Sequence, residues 1–441
     1  MTVRNQNQTQ QEIDVAFRRG WVLLFLFSLT TINYMDRVVL SIAAKPIAAE
    51  FHLSPVSLGY LFSSFIWTYT LFLIPMGQFV DKFGTRRVAA AGIGIWSLAT
   101  MLTGAAPGYL LLLVARLTMG AGEASSNPVC AKTVRQWIPA SERGAANAVF
   151  NSGSFAGPAF CLALIGFLVA ALGWRWSFVI CGSIGFVWLA LWLIFFDTPE
   201  RTKWLSQEER DKILLERNNS TQPADERAPD GLLRLMRSPT LWGIALTEGC
   251  NIYAQYLFLT WLPSYLQMTR HLSITGTGWL SAVPYGGAAV LAIVAGYLSD
   301  KYVNRAGGVA SGRRRHAIAV SMLLGATILL VPVVNSFYAL VVVLTLSLSG
   351  IAATNATNFS LLSDLLPNPR DIAKAMGFVI VGGNIFGLLA PIVTGYVISI
   401  TGSFDFAFAI AGVLLLTGIV ITLTMTHRPI TAGASAPAAT V

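Results

Sequence analysis

Five charged residues stand inside long apolar runs: Asp36, Arg37, Arg116, Glu123 and Glu248. A charge at the centre of a bilayer costs at least ~2.5–3.5 kcal/mol on insertion scales, so each one asks for a purpose. Arginine offers a planar fork that grips a carboxylate through paired charge-assisted hydrogen bonds and does not lose its proton. A buried carboxylate offers a group whose proton affinity follows the charges beside it. Three acids against two bases cannot all pair, which favours a site where an anion and a proton come and go. An anion arriving at Arg37 would raise the proton affinity of Asp36. The plainer reading makes Asp36–Arg37 a structural pair and Arg116–Glu123 a helix-packing ion pair. All four histidines (His52, His271, His316, His427) fall at run edges or in loops, so proton handling rests on carboxylates.

The elements that position these charges follow from composition. Of 441 residues 54% are hydrophobic and 12% charged, against about a quarter charged in a soluble domain. Apolar runs at about 20–42, 56–78, 88–106, 108–131, 144–170, 176–196, 239–265, 277–298, 316–333, 337–361, 372–398 and 404–425 are long enough to cross a ~30 Å hydrocarbon core as helices. No ten-residue alternation of polarity suggests a membrane barrel. The fold class expected is an all-α membrane protein of twelve spans in two six-helix bundles. At ~1.5 Å per residue, Asp36 and Arg37 lie roughly 24 Å from the inner edge and Arg116 about 12 Å below the outer one, at similar depth. Glu123 follows Arg116 by two turns on one face, and Glu248 falls near the midplane of span seven, so the five are expected to line one cavity between the bundles.

The net charge of +9 is sorted rather than scattered. With both termini inside, only Lys45, Arg175 and Arg270 lie outside, Arg37 and Arg116 lie within spans, and the rest of the 30 basic residues fall on the inner side. That bias is the positive-inside rule and argues for lipid contact rather than nucleic acid. The bias fixes the expected topology, and the membrane expected is the cell inner membrane. The organisation expected is a cytoplasmic segment 1–19, a bundle 20–196, a polar linker 197–238, a bundle 239–425 and a cytoplasmic tail 426–441. Within the linker, Ser206 and Glu209 have the spacing of a capping box opening a short helix through Glu216. Cys130, Cys161, Cys181 and Cys250 lie in apolar spans as buried thiols. No cofactor fingerprint, metal motif, nucleophile elbow or phosphate loop is present, so no cofactor and no enzyme chemistry are expected.

The loop Gly77-Gln-Phe-Val-Asp81-Lys82-Phe-Gly84-Thr-Arg86-Arg87 between spans two and three is echoed between spans eight and nine by Gly296-Tyr-Leu-Ser-Asp300-Lys301-Tyr-Val-Asn-Arg305. Repeated halves suggest bundles rocking about a central site. The first loop resembles the signature of the major facilitator superfamily. That resemblance implies a cytoplasmic charge relay of Asp81, Arg86 and Arg87, with Asp300 and Arg305 as a weaker copy that lacks the later glycine.

INYMDRVVL (32–40), GYLFSSFIWTYTLFLIPMGQFVDKFGTRR (59–87), RLTMGAGEASSNP (116–128), FLTWLPSYL (258–266) and LLSDLLP (361–367) resemble the anion:cation symporter family, which includes bacterial galactonate, glucarate and hexuronate transporters. The resemblance implies that Tyr34, Arg37, Tyr69 and Arg116 meet the substrate and that Asp36 and Glu123 couple protons. Ser154 stands where sugar-acid carriers place a glutamine, and Glu248 where they carry a neutral amide. Asn384 lies one turn beyond their asparagine in span eleven. With Asn251 and Asn358, these complete the candidate substrate-binding set. The function expected is import of a small organic anion with protons by alternating access, the chain acting as a monomer. Gly153-Ser-Phe-Ala-Gly157-Pro158 is similar to an antiporter signature without its final glycine pair, so exchange or export is the alternative. A transporter-like nutrient receptor is a third reading.

Overall fold

Main-chain hydrogen bonds closed within a helix need no water, and each apolar run folds accordingly. In the computed structural model of the protein, the described residues are 2–139, 142–202, 204–219, 231–304, 312–366, 368 and 371–430, without the side chains of 2–18, 216–219, 296, 300, 303, 304 and 373. They form α1 (Thr2–Phe51), α2 (Pro55–Phe83), α3 (Thr85–Gly104), α4 (Tyr109–Glu123), α5 (Ser126–Trp137), α6 (Arg143–Phe195) and α7 (Gln207–Asn219). There follow α8 (Leu232–Leu235), α9 (Pro239–Met268), α10 (Ile274–Asn304), α11 (Arg313–Gly325) with a 3-10 turn at Ala326–Leu330, α12 (Phe337–Leu365), α13 (Ile372–Thr401) and α14 (Asp405–Met425). No strand occurs among the described residues. Seven helices in that set are long and apolar enough to cross a membrane by length and composition.

Burial is inverted relative to a protein in water. Leu71, Phe160, Ile194, Ile293 and Ile400 are exposed, while Asp36, Arg116, Glu123 and Glu248 are buried. Such a surface suits hydrocarbon.

One run differs from its predicted outline. The fourth run divides into α4 and α5, because Ser125 Oγ and Ser126 Oγ bond back to the carbonyls of Gly122 (2.8 Å) and Glu123 (2.6 Å). Pro128, two residues into α5, has no N–H to return to Ala124. The fifth and sixth runs both lie within α6, as two helices that meet at a kink where Gly173 takes φ 81° and ψ 166°. The capping box is present: Ser206 N donates to Glu209 Oε2 (2.8 Å) and Glu209 N to Ser206 Oγ (3.2 Å), opening α7.

The chain divides into two compact units, Met1–Val39, Trp67–Cys161 and Leu168–Ala224 in one, and Leu40–Ile66, Leu162–Phe167 and Asp225–Val441 in the other. In the first unit, Arg175 Nη1 donates to the carbonyls of Ala106 (2.9 Å) and Gly104 (3.4 Å) at the C-terminal end of α3. The segment after α6 is held by Trp204, which stacks on Trp137 with centroids 5.5 Å apart.

In the second unit, segments of α1, α2 and α6 pack against α9, α10 and α13. Gln267 Nε2 donates to Ile42 O (3.3 Å) and Ser63 Oγ to Leu388 O (2.7 Å). Gly59 approaches so closely that a β-carbon there would lie 2.6 Å from Pro391 O, and one at Gly278 would lie 2.6 Å from Leu162 O. Arg270 Nη2 donates to the carbonyls of Val334 (2.5 Å) and Val331 (3.5 Å), beyond the 3-10 turn that follows α11.

Candidate functional site

In the first unit, the buried charges of α1 and α4 meet across 86 residues of sequence. Arg37 Nε and Nη2 both lie 2.9 Å from Glu123 Oε2. The guanidinium also faces two aromatic rings, 4.7 Å from the centroid of Tyr34 and 5.1 Å from that of Tyr69. Rings with an electron-rich face favour a cation there. Asn127, one helical turn past Glu123, donates from Nδ2 to Tyr69 Oη (2.9 Å) and fixes that ring. Arg116 Nη1 donates to the main-chain carbonyl of Asp36 (3.2 Å) and lies 3.0 Å from Met119 Sδ. Asp36 is fully buried, and neither carboxylate oxygen has a hydrogen-bond partner. Glu123 Oε1 is likewise without one.

Thus the pairing differs from the plainer sequence reading. Arg37 bonds to Glu123 rather than to its chain neighbour Asp36, because adjacent residues on a helix point in different directions.

In the second unit, Asn358 Nδ2 donates to Glu248 Oε2 (2.8 Å) and to Ile244 O (3.2 Å), and Asn251 Nδ2 to Ile351 O (3.1 Å). Asn384 is buried on α13 with its Nδ2 unpartnered. Ser154 spends its hydroxyl on Asn151 O (2.7 Å), a main-chain acceptor of its own helix.

Among the loop charges, Asp81 is exposed and bonds Lys132 Nζ (2.9 Å), which also donates to Val80 O. Arg86 Nη1 lies 3.4 Å from Asp197 Oδ2, and Trp192 Nε1 donates to the Arg86 carbonyl. Arg87 is exposed. Asp300 lies in α10 with its side chain outside the described set, and Arg305 lies outside the described residues. In the second unit Arg314 Nε contacts Asp364 Oδ2 at 2.5 Å.

Lys132, Asp197, Asn127 and Asp364 were not among the sequence candidates. Asn127 had a signal, its i+4 spacing from Glu123, and Asp364 had one in LLSDLLP; Lys132 and Asp197 resemble any other loop-edge charge.

Helices of membrane-crossing length, an apolar exterior and a buried cluster of opposite charges define a polytopic membrane carrier. The chain belongs to the Major Facilitator Superfamily, whose model matches residues 26–307 and 244–439. Members are transporters and not enzymes. The chain is 32% identical over 411 residues to a probable galactarate/D-glucarate transporter of Escherichia coli (strain K12), covering 89% of this chain and 91% of that one. It is 33% identical over 392 residues to a probable sulfoacetate transporter of Cupriavidus necator, covering 87% and 88%. The fold is similar to the crystal structure of a bacterial homologue of the human lysosomal transporter Spinster in its inward-facing and occupied conformation. The TM-score is 0.74 at 17% identity, over 95% of this chain and 99% of the other.

Proposed function

We propose that the chain imports a small organic anion together with protons by alternating access. The observation that carries this reading is the buried Arg37–Glu123 pair, with the unpartnered carboxylate of Asp36 in the same unit. A substrate carboxylate competes with Glu123 for the Arg37 fork. A buried carboxylate that loses its cation takes up a proton, so binding of anion and proton become one event. Arg116, Tyr34 and Tyr69 complete the anion-binding set, and Asp36 is the second proton carrier. Ser154, Glu248, Asn251, Asn358 and Asn384 are proposed to meet the rest of the substrate.

The proposed bodies are 20–196 and 239–425, joined by the linker 197–238, with both termini cytoplasmic in the inner membrane. Asp81, Arg86, Arg87, Asp300 and Arg305 are the proposed gate charges. Relatives named for galactarate, D-glucarate and sulfoacetate support an anionic cargo, as does one named a D-galactonate transporter.

The test uses purified protein in proteoliposomes with those four anions. An inward proton gradient should drive accumulation of at least one. Arg37→Ala and Arg116→Ala should abolish binding, and Glu123→Gln should keep exchange while losing gradient-driven accumulation. A gradient that accumulates none of the four while exchange proceeds would overturn symport in favour of exchange.

A further inference from the structure

One face of α9 carries Ile244, Glu248, Asn251 and Gln255 at helical spacings, and α12 meets it with Ile351, Thr354 and Asn358. The three hydrogen bonds donated by the Asn251 and Asn358 side-chain amides stitch this polar seam within the second unit. α13 leaves room for the glutamate, since a β-carbon at Gly383 would lie 3.3 Å from Glu248 Cγ. Glu248 is therefore enclosed by three helices and only 2% exposed.

Its bonding is lopsided. Oε2 accepts one amide hydrogen from Asn358, while Oε1 has no partner. Asn358 Oδ1, Asn251 Oδ1 and Thr354 Oγ1 also lack partners. Cys250 and Tyr253 are the titratable residues nearest along α9 itself. Among the described residues, α10, α12, α13 and α14 bring no charged side chain into an ion pair with Glu248. This is the opposite of Glu123, which has a guanidinium against it. An ionised carboxylate enclosed with one amide donor and no counter-charge is strongly disfavoured. A neutral acid suits the surroundings, because its hydroxyl donates where unpartnered acceptors are plentiful.

We propose that Glu248, positioned by Asn358, is a proton-binding site of the second unit, additional to the carboxylates of the first. The proton adds to an Oε1 lone pair to form the neutral acid and leaves to water as the carboxylate; no other bond changes. Each cycle that uses this site moves one more positive charge with the anion. The proposal deepens the proton-coupled reading and takes its role in transport from it.

The experiment is infrared difference spectroscopy of the full chain in lipid, stepped in pH without substrate. Wild type should show a protonated-carboxyl stretch that fades as pH rises, and Glu248→Gln should remove that component. Glu248→Asp should shift its frequency, which assigns the band even if the glutamine variant folds poorly. Asn358→Leu should shift it while leaving it titratable. Superimposable spectra for wild type and Glu248→Gln overturn the proposal, and so does a Glu248 band that never responds to pH. A titrating band without gradient-driven accumulation of D-galactonate, D-glucarate, galactarate or sulfoacetate keeps the proton site and sinks the symport reading. Accumulation without a titrating Glu248 band sinks this proposal alone.

Discussion

Arg37 shows how a buried ion pair differs from a loop one. Its two nitrogens share one oxygen of Glu123 and its plane is faced by Tyr34 and Tyr69. Removing one member of a buried pair leaves a charge without compensation, at a cost of about 3–5 kcal/mol, whereas removing both costs less. Arg37→Gln should therefore lower thermal stability in detergent more than the double variant Arg37→Gln/Glu123→Gln does. Additive losses would mean that the two do not act as a pair. Arg37→Lys should lower anion affinity about tenfold or more, since an ammonium lacks the fork and charged hydrogen bonds are worth about 1.5–3 kcal/mol; equilibrium binding measures it. The sequence made these charges visible, because hydropathy exposes any charge in an apolar run. It could not show their pairing, which depends on which face of α4 is turned toward α1. Asp36 beside Arg37 looks like a pair only on paper.

At the scale of elements, helix ends and glycine seams explain what charge counting left open. Arg175 and Arg270 were exceptions to an otherwise sorted distribution of basic residues. Each donates to carbonyls past a helix end, Arg175 after α3 and Arg270 after the turn that follows α11. Carbonyls at a helix C-terminus lack intrahelical partners and attract cations. Arg175→Ala and Arg270→Ala should each destabilise the fold by about 1–3 kcal/mol, read as a lower denaturation midpoint; unchanged midpoints would make both arginines dispensable. The seam at Gly278 is equally testable. A side chain there meets Leu162 O, whereas Gly377 has nothing within 4 Å of an added β-carbon. Gly278→Val should cost about 1–3 kcal/mol by overpacking, while Gly377→Ala should be neutral or mildly stabilising. Matching melting curves for the two variants would refute a tight seam. The capping box was legible because two side chains three positions apart determine it. The break between α4 and α5 was less so, since Ser125 and Ser126 look innocuous until their hydroxyls turn back on the helix.

For the whole molecule, the all-α membrane fold was legible, because the backbone's need for internal hydrogen bonds leaves a long apolar run little choice but helix. The two compact units were not. Each is made of three separate stretches, and no shift in composition marks Val39, Ile66 or Cys161. Orientation rests on the charge rule and is open to direct measurement. The native cysteines are buried, so an introduced one should dominate labelling by an impermeant thiol reagent. Pro107→Cys should label in intact cells and Arg201→Cys only in inverted vesicles, both positions being exposed. The reverse pattern would invert the proposed topology.

The two tyrosines facing Arg37 carry a practical consequence. A guanidinium near a phenol ring perturbs its electronic transitions, and Tyr34 and Tyr69 both lie under the same cation. An anion that draws Arg37 away should therefore leave a near-ultraviolet absorbance difference from tyrosine, giving the carrier a built-in optical reporter of occupancy that needs no dye and no radiolabel.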